Sequence, residues 1–360
     1  MSDEAKRILI IYNPKAGKGK IKGLMPKVKK MFYEAGLTPE FHATKCRGDA
    51  YDTARDYIKK HEKMIYSEEE LKVMDSKVSE DYPAESKYRV YIIAAGGDGT
   101  LNEVMRGVLS TGKKVPIGII PAGSTNDFGY SLGINGGLED AARKALDAIL
   151  DESVFECDSA LFNGEYFTYT SAFGLFSDVS YATPQKLKNT LGHLAYIVYG
   201  AKTLPKTRKI KAKIVFSTER CNGEESDVSL NAAGTRCVNG DFLLGMVVSA
   251  KSVGGFRGIT GEGVALDDGM HELMFVKWPK GPVRLFKTIA HAIGMVTKNP
   301  RALAAASDLS KDYGIKIIRV SKAEFKFTEP VCWSIDGEDG GGKKKVVIDV
   351  KKRAVLYLAV

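Results

Sequence analysis

Gly96-Gly-Asp-Gly-Thr100 is the sharpest chemical signal in the chain. Glycines let backbone N–H groups approach an anion with no Cβ in the way, and a helix starting there adds positive partial charge. A carboxylate inside an anion cradle, Asp98, calls for a cation between it and the phosphates, which points to a Mg-nucleotide. Taken alone, the same five residues also read as a structural turn with Asp98 capping a helix. By themselves, Leu266-Asp-Asp-Gly269 and Asp336-Gly-Glu338 read as turns and Glu156-Cys-Asp158 as a strand end before a hairpin. Other chemistries lack their residues. Gly17-Lys-Gly-Lys20 is not a Walker A loop, no G-x-G-x-x-G follows a strand, and HExxH, GxSxG and the protein-kinase HRD set are missing. The five histidines show no ligand spacing. The five cysteines (46, 157, 221, 237, 332) form no C-x-x-C pair and read as buried, reduced thiols.

The elements that must hold these residues are legible from apolar spacing. Ile8–Tyr12, Val90–Ala94 and Ile117–Ile120 are continuous apolar runs, as expected of strands buried on both faces of a largely parallel sheet. Each runs into a Gly/Pro-rich loop: Asn13–Gly17, Gly96–Thr100 and Pro121–Asp127. Leu101, Val104, Met105, Val108 and Leu109 share one helical face, so a helix follows the second loop. In open α/β sheets ligands bind beyond the carboxyl ends of the strands, where these loops lie. After a further amphipathic helix (Leu138, Ala141, Ala142, Ala145, Leu146, Ile149) the signals turn to strands. Asn163-Gly164 marks a hairpin, and further strands are expected at Lys211–Ser217, Phe242–Ser249, Met270–Val276, Glu324–Phe327 and Lys345–Val350. The expected architecture is an α/β nucleotide-binding domain over residues 1–135 and a larger β-rich domain over 136–343, with 346–360 free to pack back on the first. Glu62–Ser86, with eight acidic and three basic residues, reads as a surface insertion that is helical around Glu68–Lys77.

Five motifs in order, Asn13-Pro-Lys-Ala-Gly17, Gly96–Glu103, Pro121–Gly129, Leu266–Gly269 and Asp336–Glu338, resemble the diacylglycerol kinase catalytic-domain family, a group of lipid kinases. Tyr181–Lys188 and Leu194–Gly200 look like the soluble bacterial diacylglycerol kinases in particular. The resemblance implies an α/β nucleotide domain and a β-sandwich lipid domain with the active site in the cleft between them. It also implies ATP-dependent phosphorylation of a lipid hydroxyl, diacylglycerol to phosphatidic acid, and a homodimer. Carried over position by position, Asn13, Pro14, Lys15, Ala16, Gly17, Thr44, Gly97, Asp98, Gly99, Thr100, Leu101, Asn102, Glu103 and Ser124 contact ATP. Glu338 is the general base, Asp158 the carboxylate beside it, and Asp98 with Asp127 organises Mg²⁺ at the phosphates. A second, structural Mg²⁺ would be held by Asp268 and the carbonyls of Ala265 and Met270. Two departures stand out: Ser124 replaces the family's threonine, and Tyr130 stands where the family pattern has an arginine. Other acceptors, a sphingoid base or a polyprenol, are the alternatives, followed by NAD kinase or a non-catalytic lipid or nucleotide sensor.

Composition sets the frame. The 360 residues are 44% apolar and 27% charged, an ordinary globular mix that excludes disordered, collagen-like and coiled-coil chains. No apolar run approaches the roughly 18 residues of a membrane span, and the first residues lack a signal-peptide core. The formal charge is +9. It gathers in three clusters: Lys15, 18, 20, 22, 27, 29 and 30; Lys202, Lys206, Arg208, Lys209, Lys211 and Lys213; and Lys343–Lys345 with Lys351, Lys352 and Arg353. No nucleic-acid module accompanies them. They imply a cytoplasmic enzyme that binds anionic membrane reversibly and peripherally, where a lipid substrate resides.

Overall fold

Runs such as Ile8–Ile11 leave no polar side to face water, so both faces of the strands they form must be covered. The computed structural model of the protein describes residues 6–77, 86–123, 126–134, 136–175, 208–218, 234–253, 256–257, 264–296, 301–302, 305 and 314–359. The chain divides into two units, residues 1–157 with 353–360, and residues 158–352.

The first unit is built on strands β1 (Arg7–Tyr12), β2 (Glu40–Ala43), β3 (Val90–Gly96) and β4 (Ile117–Pro121). They pair in parallel in the order β4-β3-β1-β2. Every residue of β3 is buried. Helices α1 (Lys20–Glu34), α2 (Asp49–Lys60), α4 (Asp98–Leu109) and α6 (Leu138–Leu150) cover the sheet with apolar stripes; α3 (Glu68–Lys77) and the short α5 (Asp127–Ser131) complete the unit. In α4 the buried residues are Leu101, Val104, Met105, Gly107 and Val108, the stripe read from spacing except that Leu109 is half-exposed. In α1, Ile21, Leu24, Met25, Val28, Met31 and Phe32 are buried, and the lysines at 20, 22, 27, 29 and 30 point to solvent.

The Glu62–Ser86 segment is less of a surface appendage than its charge suggests. Helix α3 forms over the expected residues, but Leu71 is buried, and with Met64, Ile65 and Tyr66 it lines a small pocket against Tyr88–Val90. Ion pairs from Lys113 to Glu62 (3.1 Å) and from Lys114 to Glu68 (3.4 Å) add to this attachment.

The second unit is strand-rich. β5 (Val154–Phe162) enters it and turns at Asn163-Gly164, both at positive φ, into β6 (Glu165–Phe167). β7 (Thr170–Gly174), β8 (Ile210–Ser217), β9 (Thr235–Val248), β12 (His271–Lys277), β13 (Ile315–Val320), β14 (Lys322–Ile335) and β15 (Glu338–Leu358) pair antiparallel, and a two-stranded piece, β10 (Ser252–Val253) and β11 (Phe256–Arg257), lies apart. A long helix, α7 (Pro282–Val296), follows β12. β9 and β14 are long enough to take β8 along one half and β7 along the other. Their inward positions meet in an aromatic core. Trp333 is 1% exposed, with the rings of Phe162, Phe173, Phe325 and Phe327 5.0–6.1 Å from its own.

Three expectations are amended. The strands expected at Glu324–Phe327 and Lys345–Val350 are fragments of β14 and β15, because polar residues and Gly340–Gly342 interrupt the apolar signal while the ladder continues past register shifts. Val346–Val350 and Val355–Leu358 are one strand, β15, which crosses between units at Arg353, where φ is +51°; its last residues lie parallel to β4 through Tyr357 and Ile117. Cysteines 46, 237 and 332 are exposed and Cys157 is buried. Cys332 neighbours the inward Trp333, and strand alternation turns it outward. Among the described residues no helix is long and apolar enough to cross a membrane.

Candidate active site

The loops at the carboxyl ends of β1, β3 and β4 meet, and backbone bonds fix how. Asn13 N–H donates to the Ala95 carbonyl (2.9 Å), Ala122 N–H to Gly96 (2.7 Å) and Thr44 N–H to Tyr12 (2.9 Å). The Asn13 side chain accepts from Lys15 N–H (3.0 Å), which curls Asn13–Gly17 into a turn. Gly17, at φ +59°, comes so close to the Pro121 loop that a Cβ there would sit 3.3 Å from the Ala122 carbonyl oxygen. A Cβ on Gly123 would lie 2.6 Å from Asn126 Oδ1 and 2.7 Å from Gly97 Cα, so the two backbones come together where position 123 has no room for a side chain. The sequence-derived ATP contacts Asn13–Gly17, Thr44 and Gly97–Thr100 therefore converge within one unit. Ser124 lies outside the described residues.

Gly97 is the N-cap of α4 and brings no side-chain oxygen of its own, and the first turn of a helix is a place that suits an anion. Asp98 is the first helical residue, not the cap. One of its carboxylate oxygens accepts the Phe128 N–H (3.4 Å), which brings the start of α5, and with it the buried Asp127, beside Asp98. Gly96, Gly97, Asp98, Leu101, Pro121 and Asn126 line a small pocket here.

Glu103 does something else as well. Its carboxylate accepts Gly48 N–H (2.8 Å) and Ala50 N–H (3.2 Å), so it caps α2 from a neighbouring helix. Asn126 carries no sequence-derived role, yet its side chain accepts Gly123 N–H (2.7 Å) and donates to the Gly123 and Pro121 carbonyls (3.1 and 3.4 Å). It sits at φ +50°, a left-handed conformation that asparagine tolerates better than most residues. An asparagine before an aspartate at a helix start was the available signal.

In the second unit, Asp336-Gly337 is a two-residue hairpin turn, both residues at positive φ, that places Ile335 opposite Glu338. Asp336 is buried and accepts the N–H groups of Thr168 (2.6 Å), Tyr169 (2.9 Å) and Thr170 (3.0 Å). Burial pushes its carboxyl upward, opposed by those three bonds. The turn is thereby pinned to the segment before β7, and half-exposed Glu338 leaves it at a set position. Asp158 is buried and accepts Gly269 N–H (2.6 Å), so it ties down the Leu266–Gly269 turn. Asp268 accepts Met270 N–H (3.0 Å) with one oxygen and is ion-paired with Arg319 through the other.

Residues 7–160 match the diacylglycerol kinase catalytic domain. Diacylglycerol kinase of Bacillus subtilis (strain 168) is 30% identical over 336 residues, 93% of this chain and 91% of that protein. The chain belongs to the diacylglycerol kinase family. Diacylglycerol kinase of Staphylococcus epidermidis (strain ATCC 12228) is 31% identical over 337 residues, 93% of this chain and 87% of that one. A crystal structure of a diacylglycerol kinase from Bacillus anthracis str. Sterne matches over 100% of this chain and 98% of its own, with a TM-score of 0.59 at 19% identity, which shows the shared fold.

Members of this family of lipid kinases use ATP with a divalent metal, and the two sequence-derived metal sites fit that requirement differently. Asp98 and Asp127 offer hard carboxylate oxygens beside an anion-accepting helix start, a donor set suited to a small divalent cation shared with phosphates. At Asp268 one oxygen accepts the Met270 N–H and the other pairs with the Arg319 guanidinium, so a cation there would have to share that carboxylate with Arg319 or displace it. Spacing alone could not reveal Arg319, which reaches Asp268 from β13, 51 positions along the chain.

Proposed function

We propose that the protein transfers the γ-phosphoryl group of ATP to the free hydroxyl of diacylglycerol, giving phosphatidic acid and ADP, with Mg²⁺ at Asp98 and Asp127. The observation that carries this reading is the Gly97–Gly123 approach at the glycine-capped start of α4, with Asp98 and Asp127 alongside. Backbone N–H groups there hold phosphate oxygens, and Asn13–Gly17, Thr44 and Ser124 complete the nucleotide contacts. When bound, Mg²⁺ neutralises charge on the transferred group.

Glu338 is the general base. A lipid hydroxyl is a poor nucleophile, and its proton passes to the Glu338 carboxylate as the oxygen–phosphorus bond forms and the bond to ADP breaks. Asp158 holds the Leu266–Gly269 turn and supports Glu338 electrostatically. The relatives named above, diacylglycerol kinases over most of their length, support the acceptor. The enzyme meets that acceptor at an anionic bilayer surface. The exposed lysines 15, 18, 20, 22, 27, 29 and 30 and the exposed basic residues 208, 209, 211 and 213 support this.

A γ-labelled ATP assay over diacylglycerol, a sphingoid base and a polyprenol tests the reading. Label appearing chiefly in phosphatidic acid is expected; preferential labelling of either other lipid overturns the acceptor, and labelling of none overturns the kinase assignment.

A further inference from the structure

Among the described residues four large apolar side chains are exposed: Tyr33, Leu150, Val283 and Phe286. The last two are the most exposed, at 67% and 72%, and lie three positions apart on α7. On this helix Val283, Phe286, Lys287 and Ala290 are exposed while Thr288 is buried. A surface helix of a globular protein turns its apolar stripe inward. The first turns of α7 also hold valine and phenylalanine out to water.

The charge along this stretch of sequence is one-sided. From Lys277 to Arg301 the sequence has six basic residues and no acidic one. Lys280 and Lys287 are exposed within the same stretch. Half-buried Trp278 stands just ahead of the helix, and Lys209 lies over its ring, 6.0 Å from the centroid. That contact joins α7 to the basic run Arg208, Lys209, Lys211 and Lys213 on and before β8. The Trp278 backbone N–H donates to the Asp241 carbonyl (2.8 Å), which fixes the approach to the helix. An indole, two protruding apolar side chains and a rim of lysines match a bilayer interface: acyl chains take the apolar groups, the headgroup level takes tryptophan, and anionic headgroups take the cations.

We propose that the start of α7, through Val283 and Phe286 flanked by Lys280, Lys287, Lys209 and Trp278, inserts into the surface of anionic membranes and is the apolar anchor of this enzyme. The proposal rests on the reading that the protein works at a lipid surface, and adds where and by what force it is held. Basic clusters alone give attraction that salt removes; an apolar anchor gives binding that survives salt in part.

The test uses the full chain and vesicles of phosphatidylcholine with phosphatidylglycerol. Val283→Glu/Phe286→Glu is expected to weaken vesicle co-sedimentation by about tenfold or more, to abolish the binding that persists at high salt, and to leave the melting temperature unchanged, since both positions face solvent. In the parent, Trp278 emission shifts to the blue on adding vesicles. If the parent binds vesicles and the double variant binds equally, the anchor is refuted while the membrane reading survives. If the parent binds no vesicle, both fall. If sedimentation velocity shows a parent dimer that the double variant loses, with vesicle binding kept, the patch joins two copies of the chain and the proposal is overturned.

Discussion

Asp336 and Glu338 share one tight turn and do different work. Asp336 spends both oxygens on three backbone N–H groups, whereas Glu338 emerges half-exposed. Their substitutions should therefore separate. Glu338→Gln is expected to lower turnover by about 10²–10⁴-fold with nucleotide affinity, read by calorimetry, unchanged; full turnover would remove the base assignment. Asp336→Ala leaves three buried N–H groups without an acceptor and should cost about 3 kcal/mol of stability in urea unfolding. Arg319 raises a comparable question at Asp268. With the guanidinium already on the carboxylate, a chelator should leave the parent's melting temperature unchanged, and Arg319→Met should lower stability by about 1 kcal/mol or less, given its exposure. A melting temperature that falls with chelator in the parent would instead put a divalent ion there.

Between elements, the nucleotide site depends on strands delivering loops to one place. Gly97 and Gly123 belong to loops after β3 and β4, and their backbones approach until a Cβ on Gly123 has no room. Gly123→Ala must displace the Asn126 side chain and push the Gly97 backbone away, because its Cβ would fall 2.6 Å from Asn126 Oδ1 and 2.7 Å from Gly97 Cα. The expected result is ATP affinity reduced by about tenfold or more, roughly 1.4 kcal/mol, with the apolar core of the unit intact by far-ultraviolet circular dichroism; unchanged affinity would show that this approach does not shape the site. The glycines were legible as a motif. Their partner across the loops was not, nor was Asn126, whose bonds run to residues fixed only once β4 lies beside β3. Glu103 is a similar case: motif position suggested ATP, but the fold sets its carboxylate on the first N–H groups of α2.

Over the whole chain, stability draws on contacts that join distant segments. Glu152 is an example: it accepts from Lys87 N–H (2.9 Å), from the Ser86 hydroxyl and from Lys6 Nζ (3.0 Å), tying the start of the chain and the approach to β3 to the end of α6. Burial would raise its carboxyl, but the bonds from Ser86, Lys6 and Lys87 outweigh it and hold the carboxyl below its usual value. A depressed folded pKa means that the stabilisation is present above about pH 4.5 and is lost as pH falls through the folded value. Glu152→Gln should therefore cost about 1 kcal/mol at neutral pH, allowing for solvent screening, and flatten the acid limb of the stability profile; equal acid sensitivity in parent and variant would contradict it. The division into units also belongs to this level. Composition changes near residue 136, where α6 begins, but contacts change at Asp158 within β5 and again at Arg353 within β15.

Local chemistry and short-range periodicity were enough to name the parallel strands, the helix after the glycine loop, the Asn163-Gly164 hairpin and the family motifs. Each of these depends on neighbours within a few positions, where side-chain period and turn preference act directly. Only the tertiary structure decided that Asp336 is an anchor, that Arg319 reaches Asp268, that β15 serves both units, and that α7 turns Val283 and Phe286 outward. Those outcomes depend on residues brought together from far along the chain, and on which face of an element finds a partner. Spacing along the sequence carries no record of that choice.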